Sequence, residues 1–129
     1  MGKRTMILIA AAVAALTLVV TPGALASGGA DVIKRGNCTG AADWKLKLGR
    51  DDGRIEVEFE VDQNRVGKRW HVVLRHDGDK FFDGFRRTQA PSGSFEVKRF
   101  VNNRAGADTI SAHAVRPATG QTCNASATL

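Results

Sequence analysis

A chain of 129 residues, 43% hydrophobic and 25% charged, can bury the core of one small domain and is too short for two of ordinary size. Its 19 basic and 13 acidic residues give a formal net charge of +6. This mild excess lacks the dense basic patches of dedicated nucleic-acid binders, so no nucleic-acid partner is expected.

The segment 1–26 has the three parts of an export signal. Two basic residues near its start are followed by an uncharged apolar run over 6–20. Ala24 and Ala26 then supply the small side chains that signal peptidase requires before its cleavage point. The apolar run of about 15 residues is shorter than the ~20 that span a bilayer. We therefore predict cleavage before Ser27, a secreted extracellular protein and no membrane span.

The charge and the cysteines of the mature chain indicate its surroundings. Cleavage removes two basic residues and no acidic one, which leaves 17 basic and 13 acidic residues and a net charge of +4. Such a domain is compatible with an anionic cell wall or cell surface as its neighbour. Two cysteines remain, Cys38 and Cys123, and an even count in an oxidising compartment predicts a disulfide bond between them. Because they lie near the two ends, the bond would close nearly the whole domain.

From residue 44 onward, apolar and polar residues alternate with a period of two, which indicates half-buried β-strands. Turn signals rich in Gly, Asp and Pro separate the alternating segments at short intervals. We predict a flexible lead-in over 27–43, which contains Cys38, and one all-β domain over 44–129. The seven predicted strands are 44–48, 55–61, 69–76, 80–88, 94–101, 108–115 and 123–129.

The first two predicted strands fit each other as an antiparallel hairpin around the turn 49–53. If Leu48 faces Ile55, apolar residues pair on one face and lysines face glutamates on the other. These glutamates are therefore expected to form a charge-paired, solvated face without a catalytic role.

Seven short strands without a helical segment are typical of a two-sheet sandwich of the immunoglobulin or fibronectin type III kind. Trp70 on the third strand suits the buried tryptophan of that fold. The cysteines, which precede the first strand and lie on the last, differ from the antibody pattern. We therefore predict an Ig-like, seven-stranded sandwich closed by one disulfide, with a small β-barrel as the alternative.

Four stretches of the mature chain have a recognisable pattern: 44–48 (WKLKL), 55–61 (IEVEFEV), 90–97 (APSGSFEV) and 108–110 (DTI). Through them the chain resembles uncharacterised small secreted proteins of actinobacteria. The resemblance implies export and an Ig-like fold, and it implies no functional residues.

Residues that could carry chemistry are scattered along the sequence. The histidines are His71, His76 and His113, and no catalytic role is expected for them, because a zinc site or an activated nucleophile needs clustered partners. No catalytic residue, metal site or cofactor is therefore predicted.

Three aspartates, Asp77, Asp79 and Asp83, lie in one predicted hairpin. Calcium prefers several carboxylates within one loop, but this pattern lacks the glycine and the terminal glutamate of an EF-hand. Asp and Gly are also ordinary residues of a hairpin turn, so the turn interpretation is favoured.

The densest basic grouping consists of Arg86, Arg87, Lys98 and Arg99. If the fourth and fifth predicted strands pair, these side chains gather into one candidate binding surface. An ordinary solvated face, balanced by neighbouring carboxylates, is the more common meaning of such a cluster.

These observations favour a secreted, non-enzymatic binding or interaction domain, with an enzyme as the least favoured class. We expect a monomer without a cofactor, whose partner is the cell wall or an extracellular protein. The alternative is a secreted inhibitor of an extracellular hydrolase, which would present the loop 89–94 or the loop 102–107.

Overall fold

The computed structural model describes Gly2 and residues 29–129, where it contains eight β-strands and no helix. No segment of this described part is therefore a helix long and apolar enough to cross a membrane. Apart from Gly2, the predicted signal segment and its cleavage point before Ser27 lie outside the described residues. The strands are β1 (Val32–Asn37), β2 (Asp43–Asp51), β3 (Arg54–Asp62), β4 (Arg69–His76), β5 (Asp79–Arg87), β6 (Ser94–Asn102), β7 (Thr109–Arg116) and β8 (Gln121–Thr128).

The strands form two antiparallel sheets of four strands each. The first sheet has the order β1-β2-β3-β6 and the second has the order β5-β4-β7-β8. Each sheet keeps its own two edges, so the eight described strands do not form the closed barrel that was the alternative. The all-β prediction is confirmed, whereas the predicted number of seven strands is wrong by one.

The additional strand, β1, lies in the segment 27–43 that the sequence assigned to a flexible lead-in. It pairs along β2, beginning with Val32 opposite Leu48. Its sequence lacks clean alternation because it is an edge strand, of which only Val32 and Gly36 are half-buried. Gly36 lies under the Trp44 indole, and a Cβ at position 36 would come within 2.5 Å of that ring.

The hairpin of β2 and β3 has the predicted faces but a different register. Leu48 lies opposite Val57 rather than Ile55, because both strands continue to a two-residue turn at 52–53. Both turn residues have positive φ angles, 47° and 75°, as a tight type I′ turn requires. A shift of two residues keeps every side chain on its face, so lysines still face glutamates on the outer side.

One apolar core lies between the inner faces of the two sheets. Trp70 is fully buried in it, as predicted, and its Nε1 donates a hydrogen bond to Gln63 Oε1 at 2.8 Å. Gln63 in turn donates through Nε2 to Gln121 Oε1 at 3.2 Å. The indole N–H is thus satisfied, as a buried polar group requires. The largest buried side chains are Trp70, Phe59, Leu46, Leu48, Ile55, Leu74 and Ile110.

The predicted disulfide between Cys38 and Cys123 is present, with their Cα atoms 4.3 Å apart. It joins the segment after β1 to β8, and hence the first sheet to the second. Two hydrogen bonds accompany it: Thr39 N donates to Thr122 O, and Thr122 N donates to Thr39 Oγ1, each at 2.8 Å. The two ends of the folded chain are therefore fastened at one place.

Candidate functional site

The four basic residues singled out in the sequence do not form one patch. The pairing that would gather them does not occur, because β5 and β6 belong to different sheets. Arg86 and Arg99 lie opposite buried residues of the neighbouring strands, so they face the gap between the sheets. Arg87 and Lys98 occupy the alternate positions and face outward.

Arg86 and Arg99 meet at the open edge between β5 and β6. Their Cζ atoms lie 4.9 Å and 4.6 Å from the centroid of the Phe82 ring, within the range of a cation–π interaction. Both arginines are half-buried, and each donates to a nearby backbone carbonyl. They cover the edge of the core, which is a structural role.

Lys98 faces two carboxylates on the outer side of the first sheet. Its Nζ lies 3.1 Å from Glu56 Oε1 and 3.7 Å from Glu58 Oε1. The hydrogen bond with Glu56 raises the pKa of Lys98 and lowers the pKa of Glu56. The charge of Lys98 is therefore compensated inside the protein and attracts external anions little.

Arg87 instead belongs to a basic cleft at one end of the sheets. β4 lies between β5 and β7 and is antiparallel to both, so its start meets the ends of these two strands. This arrangement gathers Lys68, Arg69, Arg87 and Arg116 around a cleft of about 280 Å³. The remaining lining residues are Gly67, Pro117 and Ala118.

Two arginines of the basic cleft are held in position by neighbouring groups. Arg87 Nη1 donates to Gly67 O at 3.2 Å. Arg69 is exposed, and its Cζ lies 3.5 Å from the centroid of the Phe85 ring. Stacking on an aromatic ring leaves the edge N–H groups of a guanidinium free to bind a ligand. The arginines are thus oriented in advance, which reduces the entropy lost on binding.

The loop that supplies Lys68 is anchored by Thr88, which is 1% exposed. Thr88 Oγ1 accepts a hydrogen bond from Lys68 N at 2.9 Å and donates to Arg65 O. Backbone bonds between Gly67 N and Thr88 O and between Thr88 N and Lys68 O complete the anchor. Four hydrogen bonds therefore hold the loop that carries Lys68 against Thr88.

The charged residues that line the basic cleft are all positive. Four of its seven lining residues are cationic, and none is a carboxylate. Within residues 29–129, none of the four cations forms a salt bridge. Their fields add in a concave surface, which is the arrangement that concentrates anions.

The three aspartates considered for calcium do not converge. Asp83 lies on the outer face, where it accepts from His71 Nε2 at 2.6 Å and from Lys80 at 2.9 Å, and the hydrogen bond from His71 lowers its pKa. Asp77 and Asp79 instead contact Arg104. The turn predicted at 77–78 is confirmed by φ angles of 48° and 89°.

A buried polar pair escaped the sequence analysis. His76 is 3% exposed and Asp108 2% exposed, and His76 Nε2 lies 2.6 Å from Asp108 Oδ1. The residues are 32 positions apart, so only the fold reveals their contact. One sequence signal was available: His76 falls on the inward side of β4, in register with Trp70, Val72 and Leu74.

The two loops considered for an inhibitor are both anchored by hydrogen bonds. The loop 89–94 is closed by bonds from Gln89 N to Ser94 O and from Gly93 N to Gln89 O, each at 2.8 Å. Gln63 N also donates to Gly93 O at 3.0 Å, so the base of this loop is fixed. Residues 102–107 are all exposed, and this loop is fixed by bonds from Asn103 N to Gly53 O at 2.9 Å and from Arg104 N to Asp108 Oδ1 at 3.1 Å.

Comparison with known proteins returns no relative. No family model matches the chain, no curated protein matches it, and no solved structure matches it.

Proposed function

We propose that this protein is an exported, non-enzymatic binding domain that attaches to anionic polymers outside the cell through the basic cleft. The observation that carries the proposal is the meeting of Lys68, Arg69, Arg87 and Arg116 without a compensating carboxylate. The cleft lining offers no carboxylate, histidine, serine or cysteine, so it favours retention of an anion over acid–base or nucleophilic chemistry.

The size and donor geometry of the cleft favour a polymer as the ligand. Its volume of about 280 Å³ lies just below the ~300–1,000 Å³ typical of small-molecule sites. It therefore suits one or two charged groups of a longer chain. Guanidinium groups match phosphate and carboxylate with paired hydrogen bonds, and the mature charge of +4 adds long-range attraction.

Export is part of the proposal and has its own test. The disulfide supports an oxidising compartment, and the segment 1–26 has the pattern of a cleavable signal. Mass spectrometry of the protein from culture supernatant is expected to find a mature N-terminus at Ser27, within a residue or two. Recovery of intact Met1 from that fraction would contradict the prediction.

We place the fold among the Ig-like sandwiches. The order β5-β4-β7-β8 corresponds to strands C′-C-F-G of that fold, and β2, β3 and β6 correspond to A, B and E. Trp70 then lies on strand C, the usual position of the buried tryptophan. Three departures remain: the edge strand β1, the lack of a counterpart to strand D among the described strands, and a disulfide that ends on the last strand instead of joining B to F.

Charge reversal in the cleft is expected to remove polymer binding. For the double variant Arg87→Glu, Arg116→Glu we expect at least a tenfold loss of affinity for polyphosphate, since each charge-assisted hydrogen bond is worth about 1.5–3 kcal/mol. Isothermal titration at low salt measures the loss. Wild-type binding is expected to weaken as salt rises, because the Debye length falls from ~10 Å at 0.1 M to ~3 Å at 1 M.

A matched control separates the cleft from net charge. Arg35→Glu, Arg50→Glu makes the same charge change at exposed positions of the first sheet and is expected to retain most of the affinity. Equal losses in the two double variants, with both folded by circular dichroism, would reject the cleft as the site. Saturable, salt-resistant binding to one extracellular hydrolase would instead favour the inhibitor hypothesis and its candidate loops 89–94 and 102–107.

A further inference from the structure

Three side chains of metal-ligand type meet at the end of the sheets opposite the basic cleft. His76, Asp77 and Asp108 each place a nitrogen or oxygen atom within 4.8 Å of the others. His76 Nε2 lies 2.6 Å from Asp108 Oδ1 and 3.5 Å from Asp77 Oδ2. The side chains of His76 and Asp108 are 4% and 2% exposed, whereas Asp77, on the β4–β5 turn, is 31% exposed.

We propose that His76, Asp77 and Asp108 form a binding site for one zinc ion. An imidazole nitrogen and two carboxylates are suitable zinc ligands, with a fourth position open to water. Ligand atoms about 2.1 Å from a tetrahedral zinc lie about 3.4 Å from one another. The separations of 2.6 Å and 3.5 Å from His76 Nε2 therefore need adjustments of about 1 Å or less, and the Asp77 and Asp108 oxygens, which lie within 4.8 Å of each other, need to approach by at most about 1.4 Å. Zinc would replace the hydrogen bond between His76 Nε2 and Asp108 Oδ1, and the proton of that bond would be released to solvent. Calcium fits less well, because it prefers oxygen ligands throughout.

The carboxylates of this zinc site are oriented by backbone donors. Asp77 Oδ1 accepts from Thr109 N at 2.8 Å, and Asp108 Oδ1 accepts from Arg104 N at 3.1 Å. Such outer contacts fix the direction of ligand atoms and strengthen metal binding. The site was missed in the sequence because its members come from the end of β4, a turn and the loop before β7.

Arg104 supplies the positive charge that faces Asp77 of the turn and Asp79 at the start of β5. Its Nη1 lies 3.6 Å from Asp77 Oδ2 and 3.0 Å from Asp79 Oδ2, and it donates to His76 O at 3.2 Å. The Arg104 side chain is 43% exposed, so its ion pairs with Asp77 and Asp79 are of the weak, solvated kind; turning outward would break them and the hydrogen bond to His76 O. A zinc ion and the Arg104 guanidinium would repel each other at this place, and they therefore compete.

The zinc site is open to solvent at Asp77, whose side chain is 31% exposed, and His76 lines a cleft of about 380 Å³ together with Arg104, Phe81 and Phe100. An access path is one of the requirements of a workable metal site. The site is distant from the basic cleft, so its test is independent of the proposed polymer binding.

The test is isothermal titration of the EDTA-treated, dialysed full-length mature protein with zinc chloride. One zinc per chain is expected to bind. Asp77→Asn is expected to weaken binding at least about tenfold, since it removes a ligand while its amide oxygen still accepts from Thr109 N. Arg104→Gln is expected to tighten binding, because it removes the competing charge.

The matched control is Asp83→Asn. Asp83 also accepts from a histidine Nε2 at 2.6 Å, that of His71, but on an exposed face. The zinc affinity of the Asp83→Asn variant is expected to equal that of the wild type. Absence of stoichiometric zinc binding, an equal loss in Asp77→Asn and Asp83→Asn, or equally tight calcium binding would overturn the proposal. An unchanged zinc affinity in Arg104→Gln would show that Arg104 does not compete with zinc.

Discussion

Replacing both cysteines by alanine (C38A/C123A) is expected to lower the free energy of unfolding by about 4–5 kcal/mol. The bond joins residues 85 positions apart, and the loop-closure entropy of an unfolded chain cross-linked over that length is of this size. In the folded protein it fastens the segment after β1 to β8. Since domains of this size are stable by about 5–15 kcal/mol, the variant is expected to lose a large part of its stability.

Urea denaturation of the double variant and the wild type measures this difference. Thr39→Val is a matched control beside the bond, because it removes only the hydroxyl that accepts from Thr122 N. Loss of that hydrogen bond is expected to cost about 1 kcal/mol. A double variant no less stable than Thr39→Val would show that the cross-link constrains little of the unfolded chain.

The strands that sequence analysis located are those with one face in the core. β3 has the burial pattern of strict alternation, with Ile55, Val57, Phe59 and Val61 inward, and a period of two is then visible in the residues themselves. β1 was missed because an edge strand buries little: its central residues are lysine and arginine, and both are exposed. Nothing in such a segment distinguishes it from a polar linker.

The register of the β2–β3 hairpin is a second feature that the sequence pattern alone does not determine. Moving the pairing of β2 and β3 by two residues leaves the same side chains inside and outside, so hydrophobic pattern cannot choose between the two alignments. The choice depends on the turn. Asp52 and Gly53 both adopt positive φ, which selects the two-residue loop over the five-residue loop 49–53.

The basic cleft escaped sequence analysis for a topological reason. The density of basic residues along the chain is highest at Arg86, Arg87, Lys98 and Arg99. Because side chains alternate between the faces of a strand and β5 and β6 lie in different sheets, these four residues lie in three different surroundings. The cleft is assembled from the start of one strand and the ends of two others, and Arg116 is 47 positions from Arg69. Such convergence follows from the sheet order, which local patterns do not specify.

Trp70→Ala is expected to lower the free energy of unfolding by about 3–5 kcal/mol, the usual cost of truncating a large core aromatic. Trp70 is 0% exposed, and its ring centroid lies 6.4 Å from that of Phe95 in the opposite sheet. Its removal would therefore leave a cavity between the sheets. It would also remove the N–H donor that Gln63 accepts from.

Trp70→Phe separates the two losses, because it keeps an aromatic ring in the core while it removes the N–H group. Trp70→Phe is expected to lower the free energy of unfolding less than Trp70→Ala, because it leaves a smaller cavity. The lost hydrogen bond to Gln63 alone is expected to cost about 1–3 kcal/mol. Urea or thermal denaturation of the three proteins measures both differences. A loss below about 1 kcal/mol in Trp70→Ala is far outside the range for a buried tryptophan and would place this side chain at the surface. A Trp70→Phe variant as unstable as Trp70→Ala would instead assign most of the effect to the Trp70–Gln63–Gln121 hydrogen-bond chain, through which the core is tied to the last strand.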